Sequence, residues 1–395
     1  PYQNYNISAT GGNATENFRL SLGHRKTMGT SIGVDYEMVS GSFNYKKKAG
    51  KVDIVTSVRV SNAVQQGQLE GSSYFAAPQM TRLFMSPYQQ IYNASGELNT
   101  SLSTSVFNTV YLAENNISKL DGTRAISNNQ FTYQIMDGLK FRTTFGIDYI
   151  NANVHSYESP EHGGGKSENG TSYMTNSRTF NWTTQNNLEY DITLGENEHF
   201  ISALLSQRFQ KNKFLSNYSY GENVAAMGLI YPSSFQTNQS AAGSFSDWKN
   251  LSYLALVNYS YKDKYIVDLS FRNDGSSRFA ADYRFGNFWS AGVAWNVSNE
   301  NFLADNAVIN NLKFRASYGE SGNNAIGLNR YQSLFSYGGS YNDNGTITPS
   351  SFSNPIISWE TAVSVSYTHL RAHETREDGD IRHVGLKKNL GGGGG

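Results

Sequence analysis

One short segment combines residues that could bind an ion or a charged ligand: Arg272, Asp274, Gly275 and Arg278. A calcium site is a poor fit, because Ca²⁺ needs several oxygen ligands and this segment offers one carboxylate beside two cations. The central Asn-Asp-Gly is typical of turns, since these residues tolerate the backbone angles of a tight loop. We therefore predict a structural loop here rather than a metal site.

Two further segments place histidines where catalysis or metal binding is conceivable. His162 precedes the glycine run 163–165, but it has no Ser or Asp partner at a recognisable spacing, and the run lacks the Lys-Ser/Thr of a phosphate loop. We expect a flexible loop tip there. His369 and His373, followed by Glu374, have the i, i+4 spacing of a helical zinc pair. They fall in a C-terminal segment of foreign composition, so we assign them no role.

No set of residues in the chain predicts catalysis. The sequence has no Cys, which excludes disulfides, thiolate metal sites and a cysteine nucleophile. An enzymatic barrel would need a Ser/His or paired-acid constellation, and none is recognisable. We predict a protein that is not an enzyme and uses no metal or cofactor. Aromatic residues of the predicted loops could stack on sugar rings or simply pack, and the sequence does not choose among Tyr88, Tyr92, Trp248, Tyr331 and Tyr337.

The elements that must position any site are β-strands, because side-chain character alternates with period two over most of the chain. In the segment Tyr253–Lys262, one face presents Tyr, Ala, Val, Tyr and Tyr, and the other presents Leu, Leu, Asn, Ser and Lys. The same alternation recurs near Val52–Ser61, Lys140–Tyr149, Asn187–Leu194, Tyr265–Arg272, Trp289–Ser298 and Leu312–Gly319. No helical period competes over a long window.

Alternation alone fits either a soluble β-sandwich or a transmembrane β-barrel. Three features favour an all-β, antiparallel transmembrane β-barrel. The strands approach the roughly 9–11 residues that cross a bilayer, charged residues occupy the polar face in mid-strand, and aromatic residues end the apolar face. An Arg that faces lipid at the bilayer midplane costs about 2–4 kcal/mol, so we expect Arg142 and Arg315 to face the lumen.

The composition agrees with this class. The 395 residues include 26 Tyr and 22 Phe but only 7 Pro, and the mean hydropathy of −0.51 is too polar for a helical membrane protein. Lys plus Arg and Asp plus Glu both number 32, and this zero net charge gives no support to a nucleic-acid partner. No hydrophobic leader begins at Pro1, so we expect the native chain to start further upstream.

Turn residues and breaks in periodicity predict the order of the elements. The first strands are expected near Tyr5–Ala9, Asn17–His24, Val34–Tyr45 and Lys51–Ser61. Later strands are expected near residues 130–150, 178–194 and 198–212. Three less periodic stretches are predicted to be long loops, which in barrels are extracellular: residues 63–129, 157–169 and 213–249.

Several spaced blocks resemble the SusC/RagA-like TonB-dependent outer-membrane transporters. They are Tyr5–Gly12 (YNISATGG), Tyr265–Phe279 (YIVDLSFRNDGSSRF), Gly286–Trp295 (GNFWSAGVAW) with Glu300–Leu303 (ENFL), Leu312–Asn323 (LKFRASYGESGN) and Asn354–Thr361 (NPIISWET). Their order along the chain makes the resemblance specific, and it covers about residues 1–362.

This resemblance implies a partial barrel from a 22-stranded transporter whose plug domain is absent from the chain. Members of the family import oligosaccharides or peptides together with a SusD-like surface lipoprotein, and TonB acts through an N-terminal region that is missing here. The implied location is the outer membrane of a Gram-negative, Bacteroidetes-like cell, in contact with its lipid. A siderophore or cobalamin receptor, which lacks the Arg272–Phe279 block, is one alternative. A soluble β-sandwich that binds carbohydrate is the other.

The sequence divides into two parts. Residues 1–362 are predicted to form the partial barrel. From about Val363 the alternation stops, His, Arg and Glu become frequent, and the chain closes on Gly391–Gly395. We predict that residues 363–395 are an artefactual or disordered tail.

Overall fold

The computed structural model describes residues 1–69, 78–102, 106–303 and 311–372, most of which form β-strands. The strands are β1 (Tyr2–Gly12), β2 (Glu16–Met28), β3 (Asp35–Ala49), β4 (Val52–Gln66), β5 (Ile117–Met136), β6 (Leu139–Glu158), β7 (Thr171–Leu194), β8 (His199–Val224), β9 (Phe235–Tyr261), β10 (Tyr265–Ser276), β11 (Phe285–Asn296), β12 (Asn311–Asn323), β13 (Leu334–Tyr341), β14 (Asn344–Ser351) and β15 (Glu360–Ala372). Two short helices are α1 (Pro78–Phe84) and α2 (Thr109–Asn115). None of the described helices has the length and apolar character needed to cross a bilayer.

Thirteen of these strands form one antiparallel sheet with an up-and-down order. Each strand pairs with its neighbours in the sequence from β1 to β12, and β15 pairs with β12. β13 and β14 form a separate hairpin within the connection between β12 and β15. The predicted all-β antiparallel fold is therefore confirmed, and its simple order follows from tight turns that return each strand beside the previous one.

The connections alternate between two opposite ends of the sheet. At the turn end, tight turns make most of the connections, and residues 297–310 join β11 to β12. Glycines with positive φ occupy three of the tight turns: Gly50 (58°), Gly138 (76°) and Gly195 (62°). Glycine adopts this left-handed backbone without the steric cost that a Cβ imposes. At the loop end lie the longer connections, which include residues 67–116, 159–170, 225–234, 277–284 and 324–359. Successive connections lie at opposite ends because every strand reverses the direction of the one before it.

The strands are longer than the sequence patterns predicted. Residues 117–129, expected in a loop, belong to β5, and most of residues 213–249 extend β8 and β9 towards the loop end. These two predictions were wrong because a strand needs only a backbone partner to satisfy its amides and carbonyls, with or without apolar alternation. β9 has 27 residues, more than twice the roughly 9–11 that cross a bilayer.

β15 crosses the predicted boundary at residue 362. It begins at Glu360, ends at Ala372 and pairs in register with β12 along its length. The amino-acid composition therefore changes within β15, although its backbone pairing with β12 continues across the change. The remainder of the predicted tail, with His373 and Glu374, lies outside the described residues.

The register aligns the apolar faces of neighbouring strands into a continuous surface. Tyr265 stands opposite Tyr261 on one side and Trp295 on the other, and Phe314 stands opposite Trp295. Successive ring centroids along this row are 6.4, 6.4 and 6.3 Å apart. The row follows the turn end, which is where amphipathic rings lie when a barrel edge meets a membrane interface.

The opposite face of the sheet carries cross-strand charges. Arg142 lies on this polar face, with its guanidinium 3.1 Å from the Glu189 carboxylate, and Lys140 approaches the same carboxylate at 3.0 Å. Arg315 shares the polar face, since it alternates with the apolar Phe314 and Ala316. Neither arginine lies on the apolar face, as the sequence predicted.

Candidate functional site at the loop end

Most of the deeply buried apolar side chains lie at the loop end of the sheet. They are Val106, Tyr111, Leu112, Tyr157, Val224, Phe235, Phe279 and Phe288. Tyr157, Val224 and Phe235 form a small core against which Ile117 and Ile230 pack. This core joins the ends of β5, β6, β8 and β9, so it holds the connections between these strands in a fixed arrangement.

Two of the loops are fastened together around His162. Its Nε2 atom accepts a hydrogen bond of 2.7 Å from the backbone amide of Asn108. The Asn108 side chain also accepts a hydrogen bond from the Val110 amide and so caps α2. The rings of Phe107 and Tyr111 pack edge-on against the imidazole, at 5.2 and 5.3 Å. With 4% of its surface exposed, His162 lies inside a packed junction, and the predicted flexible loop tip is wrong.

The glycines after His162 have a packing role that the sequence analysis missed. Gly163 has a φ of 102°, and a Cβ on it would lie 2.5 Å from Cδ2 of Leu112. At Gly165, a Cβ would lie 2.7 Å from the Glu158 side chain. A glycine run beside a histidine can therefore indicate that two chain segments pack closely together, and not only that the run is mobile.

Tyr111 adds a buried hydrogen-bond network to this junction. Its hydroxyl lies 2.8 Å from the Ser159 hydroxyl and donates to the Glu161 carboxylate at 3.0 Å. Burial raises the pKa of Tyr111 to about 12 and lowers the pKa of His162 below its usual value, because a low-dielectric surrounding disfavours the charged form of either group. Both side chains are therefore neutral at pH 7 and act as structural hydrogen-bonding groups.

A second site lies in the sheet itself, where four of the family-like sequence blocks meet. Asp274 is 8% exposed and pairs with Arg272 at 2.6 Å. The Ser276 hydroxyl accepts a hydrogen bond of 3.2 Å from Asn324, whose segment follows β12. The Arg278 guanidinium donates to the carbonyl of Ile326. These contacts make the Arg272–Phe279 block a structural junction between β10 and the connection after β12.

Three aromatic rings complete this junction. Trp359 lies between Phe279 and Phe288, with ring centroids 5.5 and 5.4 Å away. Its indole nitrogen donates to the backbone carbonyl of Arg284 at 2.8 Å. A Cβ at Gly322 would lie 2.0 Å from Cζ of Phe288, so the Gly-Asn ending of the Leu312–Asn323 block is needed for the ring to fit.

These residues border a depression of about 460 Å³ on the polar face of the sheet. Its lining combines charged, amide, hydroxyl and aromatic groups, which include Asn250, Ser252, Ser270, Arg272, Asp274, Phe288, Ser290, Glu320, Asn324 and Trp359. The Oδ1 atom of Asn250 is buried without a hydrogen-bond partner among the described residues. A polar surface with aromatic rings at its edge suits ligands that carry hydroxyl or amide groups.

One block of the sequence lies at the other end of the molecule. Glu300, from the ENFL block, follows β11 at the turn end and accepts hydrogen bonds from Tyr265, Lys264 and Trp295, at 2.7, 2.9 and 3.1 Å. The Tyr265 hydroxyl, followed by Lys264 and Trp295, lowers the pKa of Glu300 to about 2. This block therefore closes a turn and contributes nothing to the depression.

The candidate sugar-stacking aromatics are scattered. Tyr88, Tyr92 and Tyr337 are 92%, 53% and 86% exposed, whereas the Trp248 ring lies 5.8 Å from the Arg278 guanidinium. They belong to different segments: Tyr88 and Tyr92 precede β5, Trp248 is in β9, Tyr331 follows β12 and Tyr337 is in β13. Within the described ranges, no group of three His, Asp or Glu side chains is placed to hold a metal ion.

Comparison with known proteins relates the chain to one class of membrane receptor. No family model matches it. It is 29% identical over 312 residues to TonB-dependent receptor P3 of Formosa agariphila, a match that covers 75% of this chain and 29% of that protein. It is 25% identical over 244 residues to TonB-dependent receptor SusC of Bacteroides thetaiotaomicron, covering 58% of this chain and 23% of SusC. The chain is related to the SusC/RagA-like TonB-dependent receptors.

The fold agrees with this relationship. A solved structure of the RagAB peptide transporter superimposes with a TM-score of 0.79 at 20% identity, covering 94% of this chain and 42% of that one. The closed form of the ferric-catecholate import receptor Fiu from E. coli K12 reaches 0.50 at 12% identity, covering 87% of this chain and 51% of that one. The thirteen-stranded sheet thus has the fold of part of a TonB-dependent transporter barrel. The chain spans about a third of the length of the curated relatives it matches.

Proposed function

We propose that the protein containing this chain is an outer-membrane importer, driven by TonB, that takes up oligosaccharides or peptides with a SusD-like surface lipoprotein. The observation that carries this proposal is the two-ended architecture of a chain related to SusC. One end has mostly tight turns at its strand reversals, while the other has long connections fixed by a buried core. Bacterial barrels place short turns on the periplasmic side and long loops on the outer side.

The chemistry of the polar face supports this cargo class. The 460 Å³ depression lies close to the loop end and offers Arg272, Glu320 and Asn250 beside the edge of Trp359. Hydroxyl and amide groups of a sugar or a peptide can exchange hydrogen bonds with such a surface, to which the Asn250 side chain contributes an amide. The role we propose for this surface is binding and passage of the cargo.

The fixed loops supply a surface for the lipoprotein partner. The junction of His162, Asn108 and Tyr111 joins the connection before β5 to the one after β6. A cap that docks on preformed loops loses less conformational entropy than one that must order them. We expect the lipoprotein to contact this junction from the outer side, in an outer membrane of the Bacteroidetes type.

Uptake by cells that carry the full-length gene tests the proposal. Deletion of the gene should abolish uptake of the cognate labelled oligosaccharide or peptide, and so should dissipation of the proton gradient. Affinity purification of the tagged protein should recover a SusD-like lipoprotein. Unchanged uptake of both cargo classes in the deletion strain would overturn the proposal.

Variants of the depression test the role of its residues. Asn250→Ala and Glu320→Gln should weaken cargo binding about fivefold to tenfold each, the usual factor for one lost hydrogen bond. Asn4→Ala provides the control, because Asn4 lies on the same face at the loop end of β1, far from the depression along the sheet order. Heat-modified gel mobility should show that all three variants fold.

A further inference from the structure

The apolar face of β7, β8 and β9 ends in an upper aromatic row towards the loop end. The rings of Phe145, Trp182 and Phe209 lie side by side across β6, β7 and β8, with centroids 6.2 and 5.0 Å apart. Below this row the face of β8 is apolar at Ile201, Ala203 and Leu205. The row therefore stands where an aromatic girdle would mark the upper edge of the hydrocarbon region.

At the level of this row and just above it, cations appear on the same face beside Phe180, Leu215 and Phe245. Lys211 lies opposite Trp182 on one side and Lys249 on the other, and Lys213 follows two residues along β8. Arg178, two strand positions beyond Phe180, extends this basic patch onto β7. Asp247, opposite Lys213, is the acidic residue among these neighbours. Within the described residues, none of the four cations belongs to an ion pair.

Lys211 and Lys249 face each other directly across two strands, so an anion bound between them would be stabilising. Like charges that face each other across two strands destabilise the pairing, and here no carboxylate lies between them. A phosphate placed between the two ammonium groups would convert this repulsion into two charge-assisted contacts. Lys213, Lys249 and Arg178 are exposed, so such a group can reach them from the outer surface of the barrel.

The height of the patch matches the head-group region of a bilayer. His199 stands opposite Tyr261 of the turn-end aromatic row, and from His199 to Lys211 β8 rises about 40 Å at roughly 3.3 Å per residue. At a strand tilt of about 45°, this corresponds to about 28 Å along the membrane normal, close to the thickness of the hydrocarbon core. The lysines thus lie just outside the hydrocarbon, in the leaflet on the loop side.

A polar ladder below the upper aromatic row gives independent support. On the otherwise apolar face, Thr143 donates to Asn186 at 2.8 Å, Asn186 to Gln207 at 3.4 Å, and Gln207 to the Tyr253 hydroxyl at 3.5 Å. Polar side chains on a lipid-facing surface are costly unless they find partners. The ladder side chains are partners for one another, and the Tyr253 hydroxyl, which is the last acceptor of the ladder, keeps its own proton to donate to a lipid carbonyl below the phosphate.

We propose that Lys211 and Lys249, assisted by Lys213 and Arg178, bind the phosphate of an anionic lipid in the loop-side leaflet. The acyl chains lie against Trp182 and Phe209, and the polar ladder receives the carbonyl groups. This site is on the outside of the barrel, away from the depression on the polar face. It rests on the transmembrane barrel fold and is independent of the proposed cargo.

Native mass spectrometry of the full-length protein tests this site. Protein extracted from vesicles of phosphatidylglycerol and phosphatidylcholine should retain phosphatidylglycerol selectively. The Lys211→Gln/Lys249→Gln variant should retain it about tenfold to thirtyfold less, the factor expected for two lysines at an anionic lipid surface. Lys46→Gln/Lys48→Gln is the matched control, since it removes the same charge from exposed lysines on the polar face near the turn end.

A second variant and a competition with inorganic phosphate complete the test. Lys213→Gln/Arg178→Gln should reduce retention less than the central pair, and it provides a second variant if the first does not fold. Equal retention of phosphatidylglycerol in all variants, or its displacement by millimolar inorganic phosphate, would overturn the lipid site. Uptake measured on the same variants separates the two proposals, because loss of lipid selectivity with normal uptake leaves the import function intact.

Discussion

The Nε2 atom of His162 accepts a hydrogen bond from the backbone amide of Asn108 across a separation of 54 residues. An imidazole can accept this bond only in its neutral form. The contact therefore makes the junction between the two loops dependent on the protonation of a single side chain.

Acid should loosen this junction. Because burial lowers the pKa of folded His162 below its usual 6.5, the unfolded segment takes up the proton first as the pH falls. The stabilising contribution is complete above about pH 6.5 and declines below it, towards the lower pKa of the folded state. Hydrogen exchange of α2, corrected for intrinsic rates, should accelerate between pH 7.5 and 5.5 in wild type. The same acceleration in His162→Gln would show that another group is responsible.

Removal of the Tyr111 hydroxyl should destabilise the loops. Tyr111→Phe removes the hydroxyl that bonds to Ser159, which is 2% exposed, and to Glu161. Ser159 keeps the longer bond of 3.4 Å from the Glu161 amide, and the loss of the buried Tyr111 bonds costs about 1–3 kcal/mol. Urea unfolding followed at the loop end measures the loss. Tyr88→Phe is the control, because Tyr88 is 92% exposed. A loss of similar size in that variant would argue against the network.

A methyl group at Gly322 should disrupt the aromatic junction. Gly322→Ala places a Cβ 2.0 Å from the Phe288 ring, which must move away from Trp359. We expect a loss of about 1–3 kcal/mol from overpacking and an altered tryptophan fluorescence spectrum. Gly243→Ala should change neither, since the nearest atom to its Cβ would be 3.6 Å away. An unperturbed spectrum in Gly322→Ala would contradict the packing described for Phe288.

Adjacent residues of β12 should respond oppositely to a new charge. Ala316 and Ser317 are both small and exposed, but Ala316 shares the apolar face with Val293 while Ser317 lies on the polar face. Ala316→Arg should cost about 2–4 kcal/mol if it faces lipid near the midplane, whereas Ser317→Arg should cost little. Unfolding in lipid vesicles measures both. A larger loss in Ser317→Arg would reverse our assignment of the two faces.

Residues 1–395 expressed alone should aggregate. β1 and β15 are the edges of the sheet in this structure, and unpaired strand edges join to other chains in water or lipid. Size-exclusion chromatography in detergent-free buffer should find the product in the void volume. A monomer with a cooperative unfolding transition would contradict this prediction.

The sequence alone was sufficient for the strands and their two faces. The apolar alternation of Tyr253–Lys262 and Trp289–Ser298 predicted β9 and β11, and the faces of Arg142 and Arg315 followed from it. These predictions succeeded because the period of two is a local property of an extended backbone. The alternation could not show where β8 and β9 end, since outside the membrane a strand persists on backbone pairing alone.

Only the tertiary structure decided where the loop residues meet. His162 and Asn108, or Asp274, Gly322 and Trp359, come from segments without a shared period, and nothing local predicts which of them will be neighbours. Their contacts depend on the register of the whole sheet, which brings distant connections to one end, and on the close approach that glycines such as Gly163 and Gly322 permit. The sequence by itself determined the wall of the barrel, because that wall is built from local alternation. The sites at its loop end were decided by long-range packing.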